Sequence, residues 1–358
     1  DWSSDVCSSD LLFAGVLMAI IGVLLFILHA SGTVKIISVI NIWWVSLMPA
    51  GCWLLIFCLR CYLWDRDLKA HQFLLKEAEY GQQRWEDWAG RWLAVLSSAV
   101  LLPDHISAAH WGSERPQQYG LARRINYLPA EEPVQLSAMH ALLTSIEERV
   151  QCLPEELPLY VTLITDNPSP ELTSSFSNLW KEHIPGRAVP DDITVTGSFS
   201  LSEVEERLKQ PVLTVNLLLV IQLNGGTAYS DGLAVLLLTS DDVAQKYHLP
   251  HSSRLLRPMP LDMTNFEDDI TLFLETQTVA CHTPSVIGDA KKWTERSAAL
   301  ITQGGKMHTP WKAEDIALLE KWCGIPGPAA PWLLTALAAD LVNLIPFLII
   351  LRQPQQHW

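Results

Sequence analysis

The chain has 358 residues, a formal net charge of −14 and a sequence pI near 5.2, which is room for about two domains. The acidity excludes the phosphate backbone of a nucleic acid as a partner. Seven cysteines, most of them scattered, exclude a disulfide ladder and read as free thiols of a reducing compartment.

Residues 1–10 (DWSSDVCSSD) offer no initiator Met, basic n-region or small-residue cleavage site. They resemble a translated sequencing-adapter scar, so they are set aside as an artefact and the true N-terminus is expected to be missing. Leu11 to Leu28 is an unbroken apolar run, near the minimum that spans a bilayer. Ala30-Ser31-Gly32 makes a turn, and a second run extends from Ile36 to about Leu59. Pro49 and Gly51 within it are tolerated in membrane helices. Residues 11–63 are therefore expected to form a transmembrane hairpin. Trp43, Trp44, Trp53 and Trp64 suit the lipid headgroup zone. Arg60, Arg66, Lys69 and Lys76 follow the second run, against only Lys35 in the hairpin loop. The positive-inside rule then puts the hairpin in the inner membrane, with the rest of the chain in the cytoplasm and membrane lipid as a partner. Cys58 and Cys61 match CxxC, but no second pair joins them, so no zinc site is expected.

Asp65 to about Ser98 reads as one helix leaving the membrane. Trp85, Trp88 and Trp92, at i, i+3 and i+7, would share one face. That face is read as packing onto the protein's own soluble domain, with docking to a partner or to headgroups as the alternative. Pro103-Asp104 is a stop, and His105 to Pro133 reads as a linker. Its Arg123-Arg124 pair is expected to be solvated rather than lipid-bound. Residues 64–133 thus form a membrane-proximal helix and linker, and 134–358 an α/β domain.

Within that domain the pattern predicts a helix over Leu136–Cys152, a strand over Leu157–Thr165 and a helix over Ser169–His183 opening at Pro170. A strand over Ile193–Gly197 and a helix over Leu201–Lys209 follow. Val212–Leu223 and Leu233–Leu238, either side of Asn224-Gly225-Gly226, are continuous apolar runs and read as strands buried on both faces. Ser240-Asp241-Asp242 caps the next helix. Leu272–Val279 reads as a strand, Asp289–Thr302 as a helix, and Ala313–Trp322 as a short helix or strand start. Ala330–Leu341 is a helix and Ile345–Arg352 a last buried strand, with a membrane segment over Trp332–Leu351 as the alternative.

No self-contained catalytic signature occurs: there is no phosphate-binding GxxxxGK[ST], dinucleotide GxGxxG, GxSxG elbow or HExxH. His248 and His251 read as loop residues, and Asp241-Asp242 as a helix cap rather than a carboxylate pair. No cofactor and no metal are expected.

Three segments stand in a telling order: Asp231–Ala244 (DGLAVLLLTSDDVA), Val279–Asp289 (VACHTPSVIGD) and Glu320–Pro331 (EKWCGIPGPAAP). They resemble, in sequence, the C-terminal half of condensing enzymes of the thiolase and ketoacyl-synthase type. Those enzymes carry GxGAAxLVLExxExA, AHGTGTxxGD and KSxxGHxxGAAG in that order. The resemblance covers roughly Gly225 to Arg352 and implies a layered, thiolase-like α/β domain with a mixed sheet behind the two transmembrane helices. Aligned on Gly288-Asp289, the family's first His falls on Cys281 and its neighbouring Gly on His282. The family's Lys becomes Glu320, and its second His becomes Ile325. An imidazole can donate to a developing oxyanion, whereas an Ile side chain cannot.

The small-residue frame is kept and the reactive groups are not, so the domain is expected to be a pseudoenzyme with no catalytic residues. A thiol site from Cys281 and His282 is disfavoured, because adjacent residues on one strand point to opposite faces. The expected function is a membrane-anchored, non-catalytic adaptor with another protein as partner. The layout also resembles that of inner-membrane adaptors for lipase effectors of type VI secretion. The alternative is an acyl-chain-processing enzyme or lipid-binding module at the membrane surface.

Overall fold

The computed structural model describes residues 2–31, 41–106, 119–129, 133–198, 200–210, 212–342 and 347–351. The chain divides into two units, residues 1–85 and 86–358.

The first unit is two helices, α1 (Trp2–Ala30) and α2 (Ile42–Ala89), the last turn of α2 belonging to the second unit. Helix α1 runs through most of the stretch that sequence reading had set aside. The helices are antiparallel neighbours. Trp53 Nε1 donates to the Leu11 carbonyl at 3.1 Å, and Phe26 and Trp43 meet with ring centroids 6.3 Å apart. Both helices are long and apolar enough to cross a membrane, their most apolar 18-residue stretches having mean hydropathies of 3.1 and 1.9. Their Leu, Ile, Val and Phe side chains are largely exposed. The expected hairpin loop with Lys35 lies outside the described residues.

The helix predicted to continue to Ser98 stops at Ala89. The Gly90 N–H closes the last turn on the Glu86 carbonyl at 2.8 Å, and β1 (Trp92–Leu101) begins at once. Trp85 and Trp88 are thus helical, but Trp92 opens a strand. The run WLAVLSSAVL is apolar enough for either state, and burial on the strand faces decides it. Two side chains hold the end of α2. Arg257 Nη2 donates to the Trp88 carbonyl at 3.2 Å, with its guanidinium 3.7 Å from the Trp88 ring centroid, and Gln277 Nε2 donates to the Ala89 carbonyl at 2.8 Å. Those carbonyls have no partner within the helix. Arg257→Met, which keeps the bulk but not the donors, is expected to cost about 2–3 kcal/mol. It should also speed amide hydrogen exchange over residues 86–90; unchanged exchange there would refute the clamp.

The second unit is α/β. Its first sheet contains β1 with β2 (Leu159–Thr165), β3 (Asp192–Thr196), β4 (Val215–Gln222), β5 (Gly232–Ser240) and β6 (Ser253–Leu256), in the order β3-β2-β4-β5-β1-β6. Strands β3, β2 and β4 are parallel, while β5, β1 and β6 pair antiparallel in turn. The sheet is mixed. Its strand β1, read from sequence mostly as the end of the membrane-proximal helix, lies between β5 and β6, so the α/β unit starts at Glu86 rather than at residue 134.

Helices α3 (Val134–Gln151) and α4 (Glu171–His183) cover one face. Met139, Leu142, Ile146, Phe176 and Trp180 pack there on Val161, Leu163, Leu217 and Val235. The other face carries Ile164, Leu218, Val220 and Leu236 beneath α5 (Ser202–Lys209) and α10 (Ala330–Leu341). All nine residues of β5 are buried, which is why its sequence shows no alternation. Helix α6 (Asp241–Lys246) starts as expected, Ser240 Oγ accepting from the Val243 N–H at 3.4 Å.

A second sheet, β8-β7-β9, is all parallel: β7 (Ser285–Gly288), β8 (Ile316–Leu318) and β9 (Phe347–Ile350). Ile287 points into the cluster around α10, while Val286 points to α7 (Phe266–Thr276) and α8 (Ser297–Lys306) on the far side. The layers therefore run helix, sheet, helix, sheet, helix. Helix α10 is buried nearly all round between the two sheets, as its uniformly apolar sequence requires; this corrects the membrane alternative for that segment. The strand expected over Leu272–Val279 is instead the end of α7 and a 3-10 turn, Thr278–His282. Phe266, Ile270 and Leu274, spaced by four, bury one helical face there.

Candidate functional site

The four positions singled out by sequence do not converge. Strand β7 lies between Cys281-His282 and Asp289, with Gly288 as its last residue. Cys281 and His282 precede its start, whereas β7 and β8 run parallel and both end near Asp289 and Glu320. Four strand residues span about 13 Å, so the cysteine and the Glu320–Ile325 segment sit at opposite ends of the second sheet. Cys281 and His282 also lie in a 3-10 turn rather than on a strand. The Cys281 Sγ points to the Leu274 carbonyl at 3.6 Å, burial pushes its thiol pKa up, and His282 is exposed. A thiol held protonated is a poor nucleophile.

At the other end, side chains and main chain knit together. The Glu320 N–H donates to the Asp289 carbonyl at 3.2 Å, and Glu320 Oε2 accepts the Lys291 N–H at 2.7 Å. Asp289 Oδ1 accepts from Trp293 Nε1 at 2.7 Å. Helix α9 (Leu319–Cys323) ends at Gly324, with φ 84 and ψ −162. The Ile325 N–H donates to the Leu121 carbonyl at 3.1 Å and its own carbonyl accepts the Ser230 N–H at 2.9 Å. Asp231, buried, pairs with Arg124 Nη1 and accepts the Ile125 N–H at 3.1 Å. Arg123 pairs with Asp104 at 3.0 Å. Both arginines read as solvated are thus ion-paired. The Gln222 amide completes the knot, donating to the Ser230 carbonyl at 2.7 Å and accepting the Ala329 N–H at 3.0 Å. Gly327 lies against that amide with no room for a Cβ.

Beside this knot is a group that sequence reasoning missed. Cys323 is buried, and burial pushes its thiol well above the usual range. Tyr127 is raised to about 12, first by burial and then by Cys323. Its hydroxyl donates to the Leu102 carbonyl at 3.0 Å, and the His105 ring stacks on it at 3.8 Å between centroids. Asp104 and His105 both take positive φ, 61 and 53, a conformation that turns the chain sharply after β1. These residues come from segments far apart in sequence, so no local motif signals them. A neutral, fully buried thiol and a phenol bonded to a carbonyl have structural chemistry rather than nucleophilic chemistry.

Among the described residues, no three His, Cys, Asp or Glu converge where they could hold a metal ion. The crevice at the end of β7, between Gly288, Trp293 and Ile350, has a volume of about 10 Å³, space for about one water.

No family model matches the sequence, and no curated protein matches it. The structure is similar to solved condensing enzymes at low identity. An oxazolomycin ketosynthase domain from Streptomyces albus is 14% identical with a TM-score of 0.45, the match covering 75% of this chain and 84% of that one. The ketosynthase from module 1 of the bacillaene synthase of Bacillus amyloliquefaciens is 11% identical with a TM-score of 0.48, covering 75% and 68%. OleA of Xanthomonas campestris, solved with lauric acid and lauroyl-CoA, is 9% identical with a TM-score of 0.40, covering 70% and 92%.

Proposed function

We propose that this chain is a membrane-anchored, non-catalytic accessory protein of the inner membrane, whose α/β unit keeps a condensing-enzyme framework for binding rather than for reaction. The observation that carries the reading is the use made of Glu320 and Ile325. Both are committed to main-chain hydrogen bonds that close the segment between the sheets, where a reactive pair would need open, convergent side chains. The order of the three sequence segments supports the framework, and the two exposed apolar helices support the anchor.

The partner is a protein, and an adaptor for a type VI secretion effector is the particular setting we favour. Past the apolar span, α2 continues with Leu68 and Leu75 exposed, seven residues apart and so on one face of the helix. Capture of the tagged full chain from its native membrane is expected to recover one protein in near-stoichiometric amount. The double variant Leu68→Glu/Leu75→Glu should lose that protein while remaining in the membrane fraction. Recovery of lipid alone, or equal recovery by the variant, would overturn the reading.

A further inference from the structure

The larger crevice of the α/β unit opens at the opposite end of the first sheet from the Gln222–Ile325 knot, where β2 and β4 begin and β5 ends. Its volume is about 230 Å³. Tyr160 and Asn216 are direct neighbours across β2 and β4, on the face whose later positions are Ile164, Leu218 and Val220. The face therefore changes from aliphatic to hydrogen-bonding as it reaches the crevice. Thr214 adds a hydroxyl, and Leu93 of β1 and Val212 supply apolar walls.

Arg207, at the end of α5, is the one charged residue among those lining the crevice, and its charge is already answered. Burial draws its pKa down, and Glu203, one turn earlier on the same helix, opposes this. The neutral groups are the opposite case. The Tyr160 hydroxyl, the Thr214 hydroxyl and the Asn216 amide have no hydrogen-bond partner among the described residues. A crevice that holds such groups open beside apolar walls suits a neutral ligand that forms hydrogen bonds.

We propose that this crevice binds a small neutral carboxamide with a compact apolar body, the carboxamide meeting Asn216 and the body lying between Leu93 and Val212. A primary amide is its own complement: its N–H donates to Asn216 Oδ1 while its carbonyl accepts from Nδ2, in two antiparallel hydrogen bonds. The Tyr160 hydroxyl donates to the second lone pair of the same carbonyl. An ester has no N–H and leaves Oδ1 unanswered; a carboxylate lacks the donor too and meets a guanidinium already engaged by Glu203. A cavity of about 150 Å³ holds benzene, so this one has room for a benzene ring and one carboxamide. The assignment does not depend on the accessory role proposed above.

The test uses the full chain in detergent with benzamide, methyl benzoate and benzoate, read by ligand-observed NMR titration. Benzamide is expected to bind with Kd of about 1 mM or tighter, and the ester and the anion about tenfold more weakly. Asn216→Leu, which extends the aliphatic face of Leu218 and Val220, should bring benzamide down to the level of the ester and leave the ester unchanged. The retained ester then reports a folded crevice. Tyr160→Phe, at an exposed position where folding is not at stake, should weaken benzamide about threefold; it decides alone if Asn216→Leu loses both neutral probes. Equal binding of benzamide and methyl benzoate by the native chain, benzoate as tight as benzamide, no binding of benzamide, or indifference of benzamide to either substitution would each overturn the proposal.

Discussion

Gly324→Ala is expected to destabilise the α/β unit by about 3 kcal/mol or more. At φ 84 and ψ −162 the residue occupies a backbone region open essentially to glycine alone, and a side chain there costs about 1–3 kcal/mol in strain. A Cβ would also overlap the Leu121 carbonyl oxygen, which accepts the Ile325 N–H, and the Ser230 hydroxyl, which accepts the Arg123 N–H at 3.0 Å. Overpacking of this kind adds about 1–3 kcal/mol. Gly305→Ala is the control: it lies in α8 with open space around its Cα, and alanine there should be neutral or stabilising by up to about 1 kcal/mol. Denaturation midpoints of the two variants against the native chain decide the matter. A Gly324→Ala midpoint equal to the native one would mean that this turn is not the fixed point described.

Asp340→Asn is expected to stabilise the protein at neutral pH and to do nothing in acid. Asp340 faces β1 from α10 and accepts a hydrogen bond from Ser98 Oγ. Burial nevertheless pushes its carboxyl up to about 6, from the 3.8 of an exposed aspartate. The folded state therefore holds this proton more tightly than the unfolded chain does. Its favourable contribution is complete below about pH 3.8 and is lost as pH rises through about 6, levelling off above. The difference between the two values corresponds to at most about 3 kcal/mol. Asparagine has the same shape and cannot ionise. Midpoints for Asp340→Asn and native protein should coincide near pH 4 and separate in favour of the variant by pH 8. A variant less stable than native at pH 8 would show that the ionised carboxylate is welcome in its site.

Where burial is two-sided, the sequence was readable. The runs of β4 and β5, the Ser240 cap and the limits of α10 all follow from apolar continuity and capping chemistry. What it concealed were places where one pattern serves two states. The segment after Trp85 looked helical because its tryptophans are three and four apart, yet Gly90 ends the helix and the partners of Trp92 and Leu93 are Leu256 and Leu255 on β6. Nothing near Trp92 in sequence announces that pairing. The stretch from Leu272 was misread the opposite way, its β-branched and aromatic content masking the spacing of Phe266, Ile270 and Leu274. The candidate site suffered most. The Gly288-Asp289 pair does mark the end of a strand, but motif alignment could not tell that Cys281 falls before the strand rather than after it. Arg124 with Asp231, and Tyr127 with Cys323, are associations across about 100–200 residues, out of reach of any local pattern.

The position of β1 bears on how the chain assembles. Among the described residues it is the first strand in chain order, and its nearest pairing, Leu101 with Leu233, joins residues about 130 apart, a long closure that slows folding. At about 5–20 residues per second, translation leaves this strand without a companion for roughly 7–26 seconds. Throughout that interval its ten largely apolar residues wait with their amide and carbonyl groups open to any other chain. Synthesis of this protein should therefore depend on chaperones that shield the early product until Gly232–Ser240 arrives.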